Sequence, residues 1–264
     1  MIGDSHLTMM LEANKAFYSD KLEIAPITWP RQYVDQFAFS GTELMAQGDA
    51  LAHFWKGCGL NPTVDAAQFD AVVFVSRTVT AFNIFTILQD YVVSNWNGAR
   101  DAIKSLKSMI HSPSNRRLMT PAAFEECMIG IIQSDFTYRI AAQLREHCTV
   151  PIFVVPPPYL AERTLKHRPH LTGLKRILHN DDGSVFAESY TAAHHSAFAR
   201  IPDVSVLTQP DQTVTRGCLT KETYRAGAKR FGTDDAHRED DVMHAGPAFG
   251  KLCLDRITAA MAEL

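Results

Sequence analysis

Ala71-Val72-Val73-Phe74-Val75 is a continuous apolar run of strand length, with no polar residue on either alternate face. A strand with one side in water alternates; a run like this belongs to a strand buried on both faces, as in a parallel sheet covered by helices. Ile152-Phe153-Val154-Val155 repeats the pattern, and Pro156-Pro157-Pro158 stops it, because proline brings no N–H to a ladder. Val204-Ser205-Val206-Leu207 is a further candidate, and a second strand is expected within Ile27 to Phe39. Helical spacing separates these runs. Leu7, Met10, Leu11 and Phe17 mark a helix near the start, and Thr42 reads as the N-cap of another carrying Leu44, Met45, Leu51 and Phe54. Phe249, Leu252, Cys253, Ile257 and Met261 share one face of a closing helix. The alternation predicts an α/β fold, a three-layer α/β/α sandwich with a parallel sheet of about five strands.

The 264 residues suit a single domain, residues 1–264, long enough to bury a sizeable core. Between the third and fourth strands the helical stretch of about residues 79–147 is oversized, because a crossover needs only about a dozen residues. It reads as a helical insertion, with His111 to Arg117 a loop and Ala122 to His147 one long amphipathic helix. Such a segment packs on one face of the sheet, or caps its rim with Phe82, Phe85, Tyr91 and Trp96 shaping a pocket.

Composition excludes several classes. The chain is 46% hydrophobic and 21% charged, with a formal net charge of −3 and no basic stripe interleaved with aromatics, so no nucleic-acid partner is expected. No apolar run approaches about 18 residues, so no membrane span is expected. The five cysteines (Cys58, Cys127, Cys148, Cys218 and Cys253) are scattered, without a Cys-x-x-Cys. They read as reduced thiols in a cytoplasmic protein, not as a disulfide framework or zinc site.

The chemistry lies at the two ends. The chain opens on Gly3-Asp4-Ser5-His6, and near its end reads Asp241-Val242-Met243-His244-Ala245-Gly246-Pro247-Ala248-Phe249-Gly250. A serine hydroxyl needs a base to attack at neutral pH, and a histidine base works best when a carboxylate orients it. Asp241 and His244, three apart on one loop, supply orienter and base together, and Ser5 comes from the opposite end. Asp240, beside Asp241, is a second possible carboxylate, and Asp4 reads as a turn-holding residue. This pairing resembles the SGNH/GDSL serine esterases, in which a Gly-Asp-Ser block follows the first strand and an Asp-x-x-His block precedes the last helix. The resemblance spans the chain in order, although only two of that family's four functional blocks match.

The resemblance implies a flavodoxin-like sheet and a serine hydrolase acting on a carboxylic ester, a short acyl ester or a sugar O-acetyl group, through an acyl-enzyme. Ser5 is the nucleophile, His244 the base and Asp241 the orienter, with no cofactor and no metal. The partner is a small-molecule ester, acylated carbohydrate included. The family's oxyanion hole uses the serine N–H, a glycine N–H after the second strand and an asparagine after the third. Ser5 and Gly41 fit the first two. After Val75, however, the chain reads Ser76-Arg77-Thr78-Val79-Thr80-Ala81-Phe82-Asn83, without Gly-x-Asn-Asp. Asn83, Arg77 and Ser76 are the candidate third donors. That gap favours an alternative, a weak or inactive member of the fold that binds a carbohydrate or acyl ligand. Another rival is a metal-dependent hydrolase built on Asp234, Asp235, His237, Glu239, Asp240 and Asp241, or on His194-His195.

Only Met1 and Ile2 precede Gly3. Five strand residues span about 17 Å, and two do not. The first strand is therefore expected to be missing or truncated, either because the chain is shortened at its N-terminus or because the flanking strands close up.

Overall fold

The computed structural model describes residues 1–29, 31–76, 78–100, 116–233 and 235–263. Its centre is a parallel sheet of five strands, numbered here in chain order: β1 (Ile2–Gly3), β2 (Ile27–Thr28), β3 (Val72–Val75), β4 (Ile152–Val155) and β5 (Val204–Val206). The spatial order is β2-β1-β3-β4-β5, every pairing parallel, which is the flavodoxin-like order. Among the described residues the helices of eight or more residues are α1 (Leu7–Tyr18), α2 (Asp49–Gly57), α3 (Ala81–Asp90), α4 (Pro121–Ser134), α5 (Phe136–His147), α6 (Thr172–His179), α7 (Gly183–Phe198) and α8 (Pro247–Ala262).

The double-sided burial read from the apolar runs is realised residue by residue. Val73, Val75, Phe153 and Val155 face α1 and α8, packing with Leu7, Met10, Phe249 and Ile257. Val72, Phe74, Ile152 and Val154 face the other way, into a larger core shared with Phe85, Phe124, Ile140, Leu174 and Phe186. Successive strand residues point to opposite faces, so both helical layers draw on the same four-residue strands.

The first strand is present but only two residues long. Ile2 pairs with Ile27 on one side and Phe74 on the other, and Gly3 pairs with Thr28 and Val75, so β1 is central in the sheet. Gly3 is required by close approach: a Cβ there would lie 2.5 Å from the Val75 carbonyl oxygen. Gly250 plays the same part between α8 and α1, where a Cβ would meet the Met9 carbonyl oxygen at 2.0 Å. That contact brings the helix after His244 against the helix after Ser5.

The strand expected within 27–39 is β2, which ends at Thr28; a 3-10 turn follows over Arg31–Gln36, and Phe37–Ser40 pairs antiparallel with Glu43–Ala46 in a separate three-stranded sheet completed by Thr63–Asp65. Two local expectations are corrected. Thr42 caps no helix; Gly41 and Thr42 form the two-residue hairpin loop, with Gly41 at φ 60°, a value such loops favour. Ala122 to His147 is broken at Asp135, whose backbone is extended and whose carboxylate accepts the Thr137 N–H at 3.2 Å. A short polar side chain offering the backbone a local acceptor competes with helix continuation. The break also lets Phe136 pack against Trp29 and Phe37. Of the expected 111–117 loop, residues 111–115 lie outside the described residues, and Arg117–Met119 pairs in parallel with Tyr91–Val93.

No helix among the described residues is long and apolar enough to cross a membrane. The five cysteines are unpaired, with Cys218 and Cys253 buried.

Candidate active site

The carboxyl end of β1 runs directly into Asp4, Ser5 and His6 and then α1. Asp4 organises this turn. Its Oδ1 accepts the backbone N–H of His6 at 2.9 Å and lies 2.8 Å from the His6 Nδ1. The Ser5 hydroxyl is therefore not needed as a cap. It lies 2.6 Å from Nε2 of His244, a residue 239 positions away.

The loop before α8 supplies the rest. Asp241 Oδ1 accepts the N–H groups of Met243 at 2.7 Å and His244 at 3.1 Å, folding Asp241-Val242-Met243-His244 into a tight turn. Asp241 Oδ2 lies 2.6 Å from the His244 Nδ1. The loop is fastened outside itself as well: the Val242 carbonyl accepts the Ala161 N–H at 2.9 Å, and the Gly246 N–H donates to the Tyr224 carbonyl at 2.8 Å. Arg225, nearly fully buried, donates to the Asp241 carbonyl and places Nη2 3.7 Å from its carboxylate. With Nδ1–H donated to Asp241, the Nε2 of His244 faces Ser5 as an acceptor. That tautomer can take a hydroxyl proton.

Two further histidines flank His244. His237 stacks on it at 3.7 Å between ring centroids and 14° between planes, and its own Nδ1 lies 2.9 Å from the same Asp241 Oδ2. His6 stacks on it as well, at 4.5 Å and 21°. His244 is thus stacked with two other imidazoles. In the sequence His237 is only a metal-ligand candidate, and no spacing assigns His6 a role. Their stacking depends on two loops meeting in space, which no local spacing announces.

The electrostatics follow from this packing. Burial acts to raise the Asp241 pKa, but the hydrogen bonds from His237 and His244 and the Met243 N–H outweigh it and hold the carboxyl far below its ordinary range. For His244 burial is the largest effect and lowers the pKa below 6.5; Asp241 pulls it up, while His6 and His237 push it down. His6 goes the other way: burial opposes its charge, but Asp4 more than offsets that and raises its pKa. A lowered pKa keeps His244 neutral to a lower pH. The acid limb of the kcat/KM profile is therefore expected below 6.5, activity being lost as pH falls through it. His237→Ala removes one depressing neighbour and opens the site to water, so the limb should move to higher pH. A limb unmoved in that variant would show that the stack does not tune the base.

The expected oxyanion donors fare unequally. Ser5 begins the turn into α1, where the helix dipole favours negative charge, and no acceptor among the described residues takes its N–H. Gly41, on the hairpin loop, does not follow a parallel strand. Asn83 is exposed and held at the start of α3, where its Oδ1 accepts the Thr80 N–H and hydroxyl while Thr80 Oγ1 accepts the Asn83 N–H. Arg77 lies outside the described residues. Ser76 follows β3 in the left-handed region, at φ 60°, one residue beyond the Gly3–Val75 pair. Its hydroxyl is fully buried and without a partner among the described residues.

Of the metal-ligand candidates, His237, Asp241 and His244 bring ligand atoms within 4.8 Å of one another. Both Nδ1 atoms already converge on the carboxylate, so an ion there would displace two protons and take the base from Ser5. Asp240 faces Arg168 and Arg238, Asp235 and Glu239 are exposed, and Asp234 lies outside the described residues. His194 is buried, bonded to the Tyr190 carbonyl and near the Thr78 hydroxyl, whereas His195 is exposed. The aromatics of the 79–147 stretch divide similarly. Phe85 stacks on Phe186 and Trp96 packs on Phe124 in the core, while Phe82 lines the cleft of about 400 Å³ that holds His244 and Asp241. Pro156, Pro157 and Tyr159 line a separate small cavity with Tyr190 and His194.

Comparison with protein-family models, curated proteins and solved structures finds no match.

Proposed function

We propose that this chain is a serine hydrolase of the SGNH type that cleaves a carboxylic ester of a small molecule. The observation that carries this reading is the relay Ser5 Oγ to His244 Nε2 at 2.6 Å and His244 Nδ1 to Asp241 Oδ2 at 2.6 Å. Ser5 Oγ attacks the acyl carbon as its proton passes to His244 Nε2. The carbonyl electron pair moves onto oxygen, facing the Ser5 N–H at the start of α1. Collapse breaks the ester C–O bond, and His244 returns the proton to the leaving alkoxide. Water then attacks the acyl-enzyme, again giving a proton to His244, and Ser5 is released with the free acid. Asp241 holds the working tautomer and stabilises the transient imidazolium. Short acyl esters and sugar O-acetyl groups are the substrates this reading favours, and the unpaired thiols suit a cytoplasmic location.

A second reading is a weak or inactive member of the fold that binds a carbohydrate or acyl ligand. It is favoured by Asn83 being held in a helix cap and by the buried Ser76 hydroxyl. One assay separates these readings and the metal-dependent rival. Turnover of a chromogenic acetate ester is expected to survive chelator and to be abolished by a serine-directed phosphonate. Loss of turnover with chelator would favour the His237-Asp241-His244 metal site, and no turnover at all would favour the binding protein.

A further inference from the structure

The walls around the His244–Asp241 pair are cationic on a chain whose formal charge is −3. The cleft holding the pair is lined by Arg168, Arg230 and Arg238, with Phe82 and Met243 as apolar surface. A second cleft, of about 350 Å³, shares His237 and Arg238 with the first and adds Arg163, Arg225 and Lys229. The opposing carboxylates are fewer and partly engaged. Asp240 serves two arginines, 3.2 Å from Arg238 and 3.8 Å from Arg168. Glu222 lies 3.5 Å from Arg163, Glu12 pairs with Lys229 at 2.9 Å, Glu239 is exposed, and Asp241 belongs to the relay.

Arg230 is exposed at the mouth, and its guanidinium has no hydrogen bond or ion pair among the described residues. Acceptors are short deeper in the wall as well: Nε and Nη1 of Arg225 are buried without one among the described residues. An arginine fork is suited to carboxylate and phosphate oxygens, and a cleft lined by one sign of charge concentrates ligands of the other. Both features lie beside His244.

We propose that the ester this site accepts carries an anionic group, a carboxylate or a phosphate, held by Arg230 and Arg238 while the ester carbonyl meets Ser5. This rests on the hydrolase reading and narrows it to acidic substrates, such as an acylated sugar acid or sugar phosphate. Arg168 and Asp240 set the position of Arg238, and Phe82 receives the uncharged part of the molecule.

The test compares O-acetylglucose with O-acetylglucuronate and O-acetylglucose 6-phosphate, using the full chain. One or both charged esters should show kcat/KM about tenfold or more above the neutral one. That advantage should shrink as salt rises from low concentration to 0.5 M, where screening falls to a few ångströms. The two charged arms decide between carboxylate and phosphate. In Arg230→Gln with Arg238→Gln the charged-to-neutral ratio should fall towards one, while Arg200→Gln, which lines neither cleft, should keep it. Equal rates on all three esters would overturn the proposal, as would a preference that survives the double substitution. If no ester is turned over, the hydrolase reading fails separately. Calorimetric titration with the same three compounds then decides: tighter binding of a charged compound that depends on the two arginines supports the anion site, and equal binding ends it.

Discussion

Replacing Ser5 with alanine is expected to lower turnover of a chromogenic acetate ester by roughly 10⁴- to 10⁶-fold. The physical reason is that Ser5 Oγ is the atom in contact with the neutral face of the base, at 2.6 Å from His244 Nε2. Without it His244 has no hydroxyl to activate, and what remains is the N–H donor at the start of α1 and whatever binding the cleft provides. His244→Ala should cost about as much, because nucleophile and base act as one unit and their losses do not add. Neither change should unfold the protein. The first turn of α1 is held by the Asp4 carboxylate on the His6 N–H, and the 241–244 turn by Asp241 Oδ1 on two backbone N–H groups, so neither depends on the Ser5 hydroxyl or the His244 ring. Rates measured alongside a urea melt check both halves of this expectation. A Ser5→Ala protein that keeps a tenth or more of the wild-type rate would remove Ser5 from the reaction.

The parts of the fold that were legible are those where a local pattern and the tertiary demand coincide. Val72–Val75 and Ile152–Val155 are apolar at every position because each strand has helices on both sides, so burial is written into the run itself. That Ser5, His244 and Asp241 meet was legible because the Asp-x-x-His spacing suits a turn in which one carboxylate binds two N–H groups and an imidazole. The misread parts are those where one residue arbitrates. Gly41 at positive φ turns Phe37–Ala46 into a hairpin instead of a strand and a helix start, and Asp135 divides a segment whose apolar periodicity runs through it. β1, expected to be missing or truncated, is two residues long; so short a strand is held when it is paired on both sides, and Ile2 and Gly3 are. The flanking rings of His6 and His237 had no pattern to betray them, since each is positioned by a bond to a carboxylate, Asp4 or Asp241, and meets His244 only in the folded chain.

Asp241→Asn is the second large effect, and it separates orientation from charge. The native carboxylate divides its work: Oδ1 accepts the Met243 and His244 N–H groups, and Oδ2 faces the Nδ1 atoms of both His237 and His244. An asparagine can keep its oxygen on the backbone turn, so the loop retains its shape. Its amide NH₂ then faces two imidazole nitrogens that were donors. His244 relieves that clash by accepting at Nδ1, which moves its proton to Nε2, the atom facing Ser5. In that tautomer it cannot take the hydroxyl proton, and a loss of about 10⁴-fold in kcat is expected. Stability should fall as well, since the buried Arg225 loses the carboxylate 3.7 Å away; removing one partner of a buried pair costs about 3–5 kcal/mol. The two effects are separable, because a folded population at low temperature that still turns over poorly reports the tautomer and not unfolding. Added zinc should restore nothing, as it would if the carboxylate acted as a metal ligand whose affinity had merely weakened. A kcat within tenfold of wild type would remove Asp241 as the orienter and turn attention to Asp240, whose carboxylate is turned towards Arg168 and Arg238 instead.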